Sequence, residues 1–283
     1  MAATDVDVLR QEILAETRKL SEAYQARFAG DAEGELRAWL HVAARREAMV
    51  GDFYGRANRE YRLAGVHAPA GLVARDALTL IWQQEKDHTT FVEVRLKEGD
   101  LKGQALSGER QIWLGTIDSK TLGAVTGHPG LKSVLGKMVT RLGALLTPGL
   151  VPDFALTLDE LETREFFLLC SVLETTARQS YARMEQLADG LADRNLQFEG
   201  LSRELRRVLL DEAFHEQAFQ AMAGWIVDGR FDPALDESAC VRQLRRLLPR
   251  GARAGGDQES RFVLTDGGLG KLFEKRGMPV VVG

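Results

Sequence analysis

The stretch from Leu205 to Phe219 reads Leu-Arg-Arg-Val-Leu-Leu-Asp-Glu-Ala-Phe-His-Glu-Gln-Ala-Phe, and within it Glu212 and His215 lie three residues apart. Residues at this spacing share one face of a helix. Apolar residues such as Val208 and Phe219 flank the pair. A carboxylate and an imidazole on the inner face of a helix are placed to hold a metal ion in a helical core.

The same pair occurs once more, because Glu85 and His88 precede Glu212 and His215 by 127 residues each (212 − 85 and 215 − 88). A di-metal site in a helix bundle needs one further glutamate from each of two other helices. Moving 38 residues back from each copy gives two glutamates (85 − 38 and 212 − 38), which are Glu47 and Glu174. Two Glu-x-x-His copies with equally spaced partner glutamates predict a di-metal site far more strongly than one copy would.

The charge of this residue set indicates which ions it would bind. Four carboxylates in one core would be too costly without compensating cations. A set rich in oxygen with two imidazoles favours iron or manganese over zinc or copper. We therefore expect two iron ions, with manganese as an alternative at one or both positions.

These residues resemble the ferritin-like di-iron carboxylate superfamily, whose signature E…ExxH…E…ExxH spans four antiparallel helices. The resemblance covers about residues 33–228 and implies six metal ligands, with Glu85 and Glu212 as the bridging carboxylates. It also implies that Asp211, in the Asp-Glu-x-x-His form of oxygen-activating members, accepts a hydrogen bond from His88. Gln84 stands in the equivalent place of the first copy. The implied ligands are Glu47, Glu85, His88, Glu174, Glu212 and His215.

Two tyrosines repeat with the same offset, since Tyr54 and Tyr181 follow Glu47 and Glu174 by seven residues. This spacing predicts that they lie on the metal-facing side, two turns from the ligands. Either tyrosine could act in redox chemistry or proton relay. The alternative is a tyrosine that packs between helices, with its hydroxyl bonded to a carboxylate or to an arginine.

The apolar periodicity predicts an all-α fold with an N-terminal helix, and the resemblance implies that the four long helices after it form a ferritin-like antiparallel four-helix bundle. We expect one domain over residues 1–250 and a tail over 251–283 that is a mobile lid, an arm onto a partner subunit, or disordered. Glycines and prolines over 99–155 predict a long crossover with one or two short helices, one of them at 131–146. The other predicted helices cover residues 5–28, 33–65, 72–101, 156–187, 196–227 and 241–248.

Composition limits the functional classes. The 283 residues carry a net charge of −4, which argues against a nucleic-acid surface. No apolar run reaches the length of a membrane span, and the N-terminus lacks the pattern of a signal peptide, so we expect a cytoplasmic protein without a membrane partner. The two cysteines form no C-x-x-C, which excludes a rubredoxin-type iron site or a thiol redox motif.

The leading functional hypothesis is an O2-dependent di-iron oxidase or oxygenase that oxidises a small organic substrate and takes electrons from an external donor. Its substrate pocket is expected near Phe91, Phe166, Phe219 and the 131–146 helix. One alternative is a ferroxidase or a peroxide-detoxifying protein without an organic substrate. Another is a non-catalytic helical metal-binding module. The sequence is also compatible with a homodimer.

Overall fold

The structure, a computed structural model, describes residues 3–57, 63, 65–98, 162–192 and 196–248. Within these residues the chain is predominantly helical, which confirms the predicted all-α class. The crossover at 99–155, including the 131–146 helix, and the tail at 251–283 lie outside the described residues. None of the described helices combines the length and apolarity needed to cross a membrane.

The described residues form six helices and one short hairpin. The helices are α1 (Ala3–Arg27), α2 (Ala32–Arg56), α3 (Pro69–Glu98), α4 (Thr163–Ala192), α5 (Leu196–Gly224) and α6 (Glu237–Leu247). The hairpin pairs β1 (Ile226–Val227) with β2 (Arg230–Phe231) in antiparallel register.

Several helix boundaries differ from the predicted ones, including the start of α6 at Glu237 instead of 241. Helix α3 begins at Pro69, where a turn was expected, because proline suits the first helical position and lacks an N–H that the helix would leave unbonded. Helix α4 continues through Gly190 to Ala192. Helix α2 is described as far as Arg56, and most of the predicted remainder up to residue 65 lies outside the described residues.

The predicted helix over 196–227 is too long, because the chain leaves the helix at Gly224 and forms the β1–β2 hairpin. Asp228 and Gly229 connect the two strands with φ values of 50° and 75°. Positive φ at both central residues is typical of the tight turns that join antiparallel strands, and Asp-Gly is a favoured pair for them. This dipeptide was the sequence signal for the hairpin.

Two apolar clusters fill the core. Cluster 1 is built around the aromatic rings of Phe166, Phe167, Phe214 and Phe219, with Leu78 and Tyr54 among its other members. Cluster 2 contains Leu36, Trp39, Leu40, Val92, Met184 and Leu205. Their buried aromatic and aliphatic side chains supply the main driving force for packing these helices together.

The clusters also define the directions of the four long helices that share them. Helices α2 and α5 run from cluster 2 to cluster 1, whereas α3 and α4 run from cluster 1 to cluster 2. Helix α2 packs mainly on α3, and α4 mainly on α5, so each of these sequential pairs is antiparallel. Helix α2 also contacts α4, and α3 contacts α5, which brings the two pairs together.

A polar layer separates the two clusters. On each of the four helices, the predicted metal ligands lie between residues of cluster 2 and residues of cluster 1. On α2, for example, Glu47 lies between Ala43 of cluster 2 and Val50 of cluster 1. The fold therefore positions these ligands at mid-height of the helices and encloses them in apolar side chains.

An ion pair between α2 and α4 gives a prediction about stability. Arg183 donates from Nε and Nη2 to the two carboxylate oxygens of Glu35 over 2.7 and 2.8 Å, and Glu35 is only 3% exposed. Arg183→Met should leave this buried carboxylate without its cation and lower the free energy of unfolding by about 2 kcal/mol, since Arg183 itself is partly exposed. Urea unfolding measures the change.

The control for this prediction is Arg37→Met. Arg37 pairs with Glu33 one turn away on α2, and these side chains are 39% and 45% exposed, whereas the Glu35 side chain is 4% exposed. Exposed pairs of this kind contribute at most about 1 kcal/mol. Equal losses of stability in the two variants would contradict the structural role assigned to Arg183.

Candidate metal centre

The structure brings all six predicted ligands into one buried cluster. None of them is more than 4% exposed, and Glu85, Glu212 and His215 are fully buried. The ligand atoms form two groups, and within each group they lie within 4.8 Å of one another. The first group is Glu47, Glu85, His88 and Glu212, and the second is Glu85, Glu174, Glu212 and His215.

The two groups share Glu85 and Glu212. Ligand atoms on opposite sides of a divalent ion are about 4.2 Å apart, twice the usual metal–oxygen distance, so each group is compact enough for one ion. A carboxylate has two oxygens and can contribute one to each of two neighbouring ions. Glu85 and Glu212 could therefore contribute to two ions, whereas Glu47 and Glu174 could each contribute to only one.

The outer nitrogens of both histidines belong to one hydrogen-bonded chain. His88 Nε2 lies 3.2 Å from Asp211 Oδ2, the contact expected from the sequence. Gln84 Nε2 donates to Asp211 Oδ1 over 3.1 Å, and His215 Nε2 lies 2.9 Å from Gln84 Oε1. Because a carboxylate only accepts, the Gln84 amide must donate to Asp211 and turn its oxygen to His215. Both imidazoles thus carry hydrogen on Nε2.

This arrangement directs both Nδ1 atoms toward the carboxylates. His88 Nδ1 lies 3.2 Å from Glu212 Oε1, and His215 Nδ1 lies 2.9 Å from Glu85 Oε1. Neither contact has the geometry of a hydrogen bond. In an imidazole with hydrogen on Nε2, Nδ1 carries a lone pair, so two acceptors face each other at each contact. Either a proton or a metal ion is needed to make this arrangement favourable.

Further atoms of the cluster lack hydrogen-bond partners within the described residues. They are Glu47 Oε1 and both carboxylate oxygens of Glu85 and Glu212. Buried polar atoms are almost always paired, and leaving one unpaired costs about 1–3 kcal/mol. Since the unpaired atoms are mostly oxygens and Nδ1 lone pairs of the ligand set, these residues fit a pair of divalent cations.

The pKa values of the clustered glutamates also favour bound cations. Burial raises the pKa of Glu85 well above its usual value, and the nearby charges of Glu47 and Glu174 raise it further. Burial and the charges of Glu174 and Glu47 likewise raise the pKa of Glu212. Without cations, this crowding of carboxylates is relieved only by binding protons.

Histidine contacts shift two other pKa values. Burial lowers the pKa of His88, but its contacts with Asp211 and Glu212 outweigh burial and raise the pKa well above the usual value. Burial raises the pKa of Glu174, but contact with His215 and other hydrogen bonds outweigh it, so the net shift is downward. The lowered pKa favours the anionic form of Glu174, whereas the raised pKa values of Glu85 and Glu212 favour their neutral forms.

The two tyrosines differ in their contacts. The Tyr54 hydroxyl donates to Glu174 Oε1 on the opposite helix pair, in agreement with the packing alternative in which a carboxylate binds the hydroxyl. The Tyr181 hydroxyl has no partner among the described residues. Arg183 pairs with Glu35 rather than with a tyrosine. Burial, followed by the charge of a nearby glutamate, raises the pKa of both tyrosines, so both hydroxyls remain protonated.

Sequence reasoning anticipated one residue of the site in part and missed another. Gln84 was expected as the neutral counterpart of Asp211, and its contact with His215 agrees with this, whereas its bond to Asp211 was not foreseen. Arg46 donates to the Leu173 carbonyl over 2.9 Å and fastens α2 to α4 beside the cluster. Its position next to Glu47 was the available signal, but adjacency along a helix does not show which neighbouring helix a side chain reaches.

The role of Gln84 can be tested with a neutral substitution. Gln84→Leu removes the acceptor that orients His215 and one donor to Asp211, so we expect metal affinity to fall about 10- to 100-fold. Equilibrium titration with Mn²⁺ under anaerobic conditions measures the affinity. Gln83→Leu is the matched control, because Gln83 is the exposed neighbour on the same helix. An unchanged affinity in Gln84→Leu would contradict this role.

The predicted substrate pocket is only partly described. Phe166 and Phe219 are fully buried in cluster 1, and Phe91 packs half-buried beside cluster 2. The predicted 131–146 wall lies outside the described residues. A cavity of about 600 Å³ opens between the α1–α2 turn and the end of α4, with Phe28 and Arg183 in its lining, and none of the six ligands lines it. The location of the pocket stays a prediction.

Comparison of the chain with models of protein families, with curated proteins and with solved structures gave no match.

Proposed function

We propose that this protein is a ferritin-like di-iron oxidase or oxygenase that uses O2 to oxidise a small organic substrate. The observation that carries the proposal is the pair of four-residue ligand groups that share Glu85 and Glu212. A single structural ion would need only one such group. Two groups with shared carboxylates suit two ions held close together, which is the arrangement used for O2 chemistry in carboxylate-bridged sites.

The helix arrangement supports the ferritin-like part of the proposal. Antiparallel pairs α2–α3 and α4–α5 enclose the cluster, and α3 and α4 run in the same direction. A bundle with one long crossover connection has this arrangement of directions. We therefore propose that these four helices form the bundle predicted from the sequence.

Each residue of the cluster has a proposed task. Glu47 and His88 would hold one ion, Glu174 and His215 the other, and Glu85 and Glu212 would bridge them. When bound and reduced, the iron pair supplies the electrons for O2 activation. Asp211 and Gln84 keep the histidine Nδ1 lone pairs directed inward, and the surrounding apolar clusters exclude bulk water.

The decisive experiment combines metal loading with rapid mixing. The purified protein is loaded anaerobically with Fe²⁺ and mixed with O2 in a stopped-flow spectrometer. We expect a transient visible absorption band that Glu174→Ala abolishes, because this variant lacks a terminal ligand. Binding of no more than trace iron or manganese would refute the proposal.

The same preparation distinguishes the ferroxidase alternative. Iron oxidation or peroxide consumption that stays efficient over many turnovers without any organic co-substrate would favour a ferroxidase or peroxide-detoxifying protein. An oxidase or oxygenase should instead slow after the first turnover unless a substrate and an electron donor are supplied. A metal-dependent rise in melting temperature without any O2 reactivity would indicate the non-catalytic module.

A further inference from the structure

The pseudo-symmetry of the cluster predicts two equal tyrosine contacts, but the structure contains one. Tyr54 and Tyr181 are 127 residues apart, as are Glu47 and Glu174. Tyr54 on α2 donates its hydroxyl hydrogen to Glu174 on α4. The equivalent bond from Tyr181 to Glu47 is not formed, and Glu47 Oε1 also lacks a hydrogen-bond partner among the described residues.

The Tyr181 ring packs beside the first ligand group, next to His88. Tyr181 is 1% exposed, and its ring centroid lies 6.3 Å from that of His88. The carboxylate with the strongest electrostatic effect on it is Glu47, which belongs only to the first group, followed by Glu212 and Glu85, which belong to both groups. Burying an O–H group without an acceptor costs about 1–3 kcal/mol. We therefore expect the Tyr181 hydroxyl to donate to an acceptor beside the cluster.

A metal ion accounts for some of these unpaired atoms but not for this one. A cation would bind the oxygens of Glu47, Glu85 and Glu212 and the Nδ1 lone pair of His88. It cannot accept a hydrogen bond from a neutral phenol, because it offers no lone pair. The ion itself is therefore not the acceptor for Tyr181. Glu174 accepts from Tyr54 although it is a proposed metal ligand, but within the described residues no carboxylate accepts from Tyr181. A further small ligand held beside the ion would supply the acceptor.

We propose that the Glu47–His88 half of the site binds a small exogenous anion that accepts a hydrogen bond from Tyr181, whereas Tyr54 closes the Glu174–His215 half. This inference rests on the proposed two-metal site. It makes the two halves unequal in function, because in the second half the tyrosine donor is already used by a terminal carboxylate. Tyr181 is then a determinant of which small ligands enter the site.

Azide is a suitable probe, since it is a small anion with strong hydrogen-bond acceptors and its binding to ferric iron produces a visible absorption band. Azide is titrated into the ferric protein, and into Tyr181→Phe and Tyr54→Phe after their iron content has been matched to wild type. We expect Tyr181→Phe to bind azide about tenfold more weakly, the loss typical of one hydrogen bond to a charged group. Tyr54→Phe, the same change at the equivalent position, should stay within about twofold of wild type.

A second measurement uses the unaltered protein. The infrared stretching band of bound azide should shift when H2O is replaced by D2O, and this shift should be absent in Tyr181→Phe.

Equal azide affinities in the two variants, or a missing isotope shift in wild type, would overturn the inference while leaving the two-metal site intact. A phenolate-to-iron absorption band that disappears in Tyr181→Phe would also overturn it, because Tyr181 would then be a ligand. If the wild-type protein bound no iron at all, both this inference and the proposed function would be refuted.

Discussion

Alanine in place of Glu212 is expected to remove both metal ions from the protein, whereas Glu47→Ala should remove one. The reason is that Glu212 belongs to both ligand groups and Glu47 only to the first. Losing a shared carboxylate leaves each ion with three of its four residues and removes the charge that holds the ions together. Losing a terminal carboxylate leaves the second group, Glu85, Glu174, Glu212 and His215, intact.

The number of ions is measured by elemental analysis after anaerobic loading with Fe²⁺ and dialysis. Wild type should retain about two ions per chain, Glu47→Ala about one, and Glu212→Ala close to none. Glu216→Ala is the matched control, because Glu216 lies one turn further along α5 and pairs with Arg178 over 3.1 Å. If Glu212→Ala kept two ions, or Glu47→Ala lost both, the shared-carboxylate arrangement would be wrong.

The second large effect is the pH dependence of the metal-free protein, whose melting temperature should fall as pH rises from about 5 to 8. A carboxyl with a raised pKa in the folded state binds its proton more tightly there than in the unfolded chain. Its contribution to stability is present below the unfolded value of about 4.3 and is lost as pH rises through the folded pKa. Glu85 and Glu212 both have raised pKa values.

Two further groups of the cluster modify this slope. The pKa of His88 is also raised, so its contribution is present below about pH 6.5 and is lost as pH rises through its folded pKa. The pKa of Glu174 is lowered, so its contribution to stability is present above about pH 4.3 and is lost only as pH falls below that value. Between about pH 5 and 8 this contribution does not change. The net expectation is a decline in stability above pH 5.

Bound metal should reverse this trend. Metal ions displace the protons, so their binding tightens as pH rises. At a free metal concentration of about 1,000 times Kd, each ion adds roughly 4 kcal/mol, and two ions should raise the melting temperature by more than about 10 °C. Thermal unfolding of the metal-free and Mn²⁺-loaded protein at several pH values measures both effects. The metal-free Glu212→Gln variant should show a flatter slope, and an unchanged slope would contradict the electrostatic account.

The repeat in the sequence was sufficient to predict the cluster, because a metal site imposes a strict pattern on the chain. Glu85 and His88 had to share a helix face, and the common offset located Glu47 and Glu174 without knowledge of the fold. The structure places all six residues together. The contact between Asp211 and His88 was also expected, and it is present at 3.2 Å.

The remaining features depend on side-chain rotation and on contacts between helices, which spacing does not determine. The Gln84 amide could have turned toward solvent or backbone, and only the packed structure shows that it links Asp211 to His215. Equal spacing also predicts equal contacts for Tyr54 and Tyr181, whereas Tyr54 binds Glu174 and Tyr181 has no hydrogen-bond partner in the part of the chain that the structure describes. The Asp228-Gly229 turn was missed because the apolar pattern of α5 extends past Gly224.

The most direct test of the two-metal site is anomalous diffraction from crystals of the metal-loaded protein, recorded at the iron and manganese absorption edges. The shared carboxylates predict two anomalous peaks about 3.5–4 Å apart. One peak should lie beside Glu47 and His88, the other beside Glu174 and His215, with Glu85 and Glu212 between them. A single peak, or none within the cluster, would contradict the account.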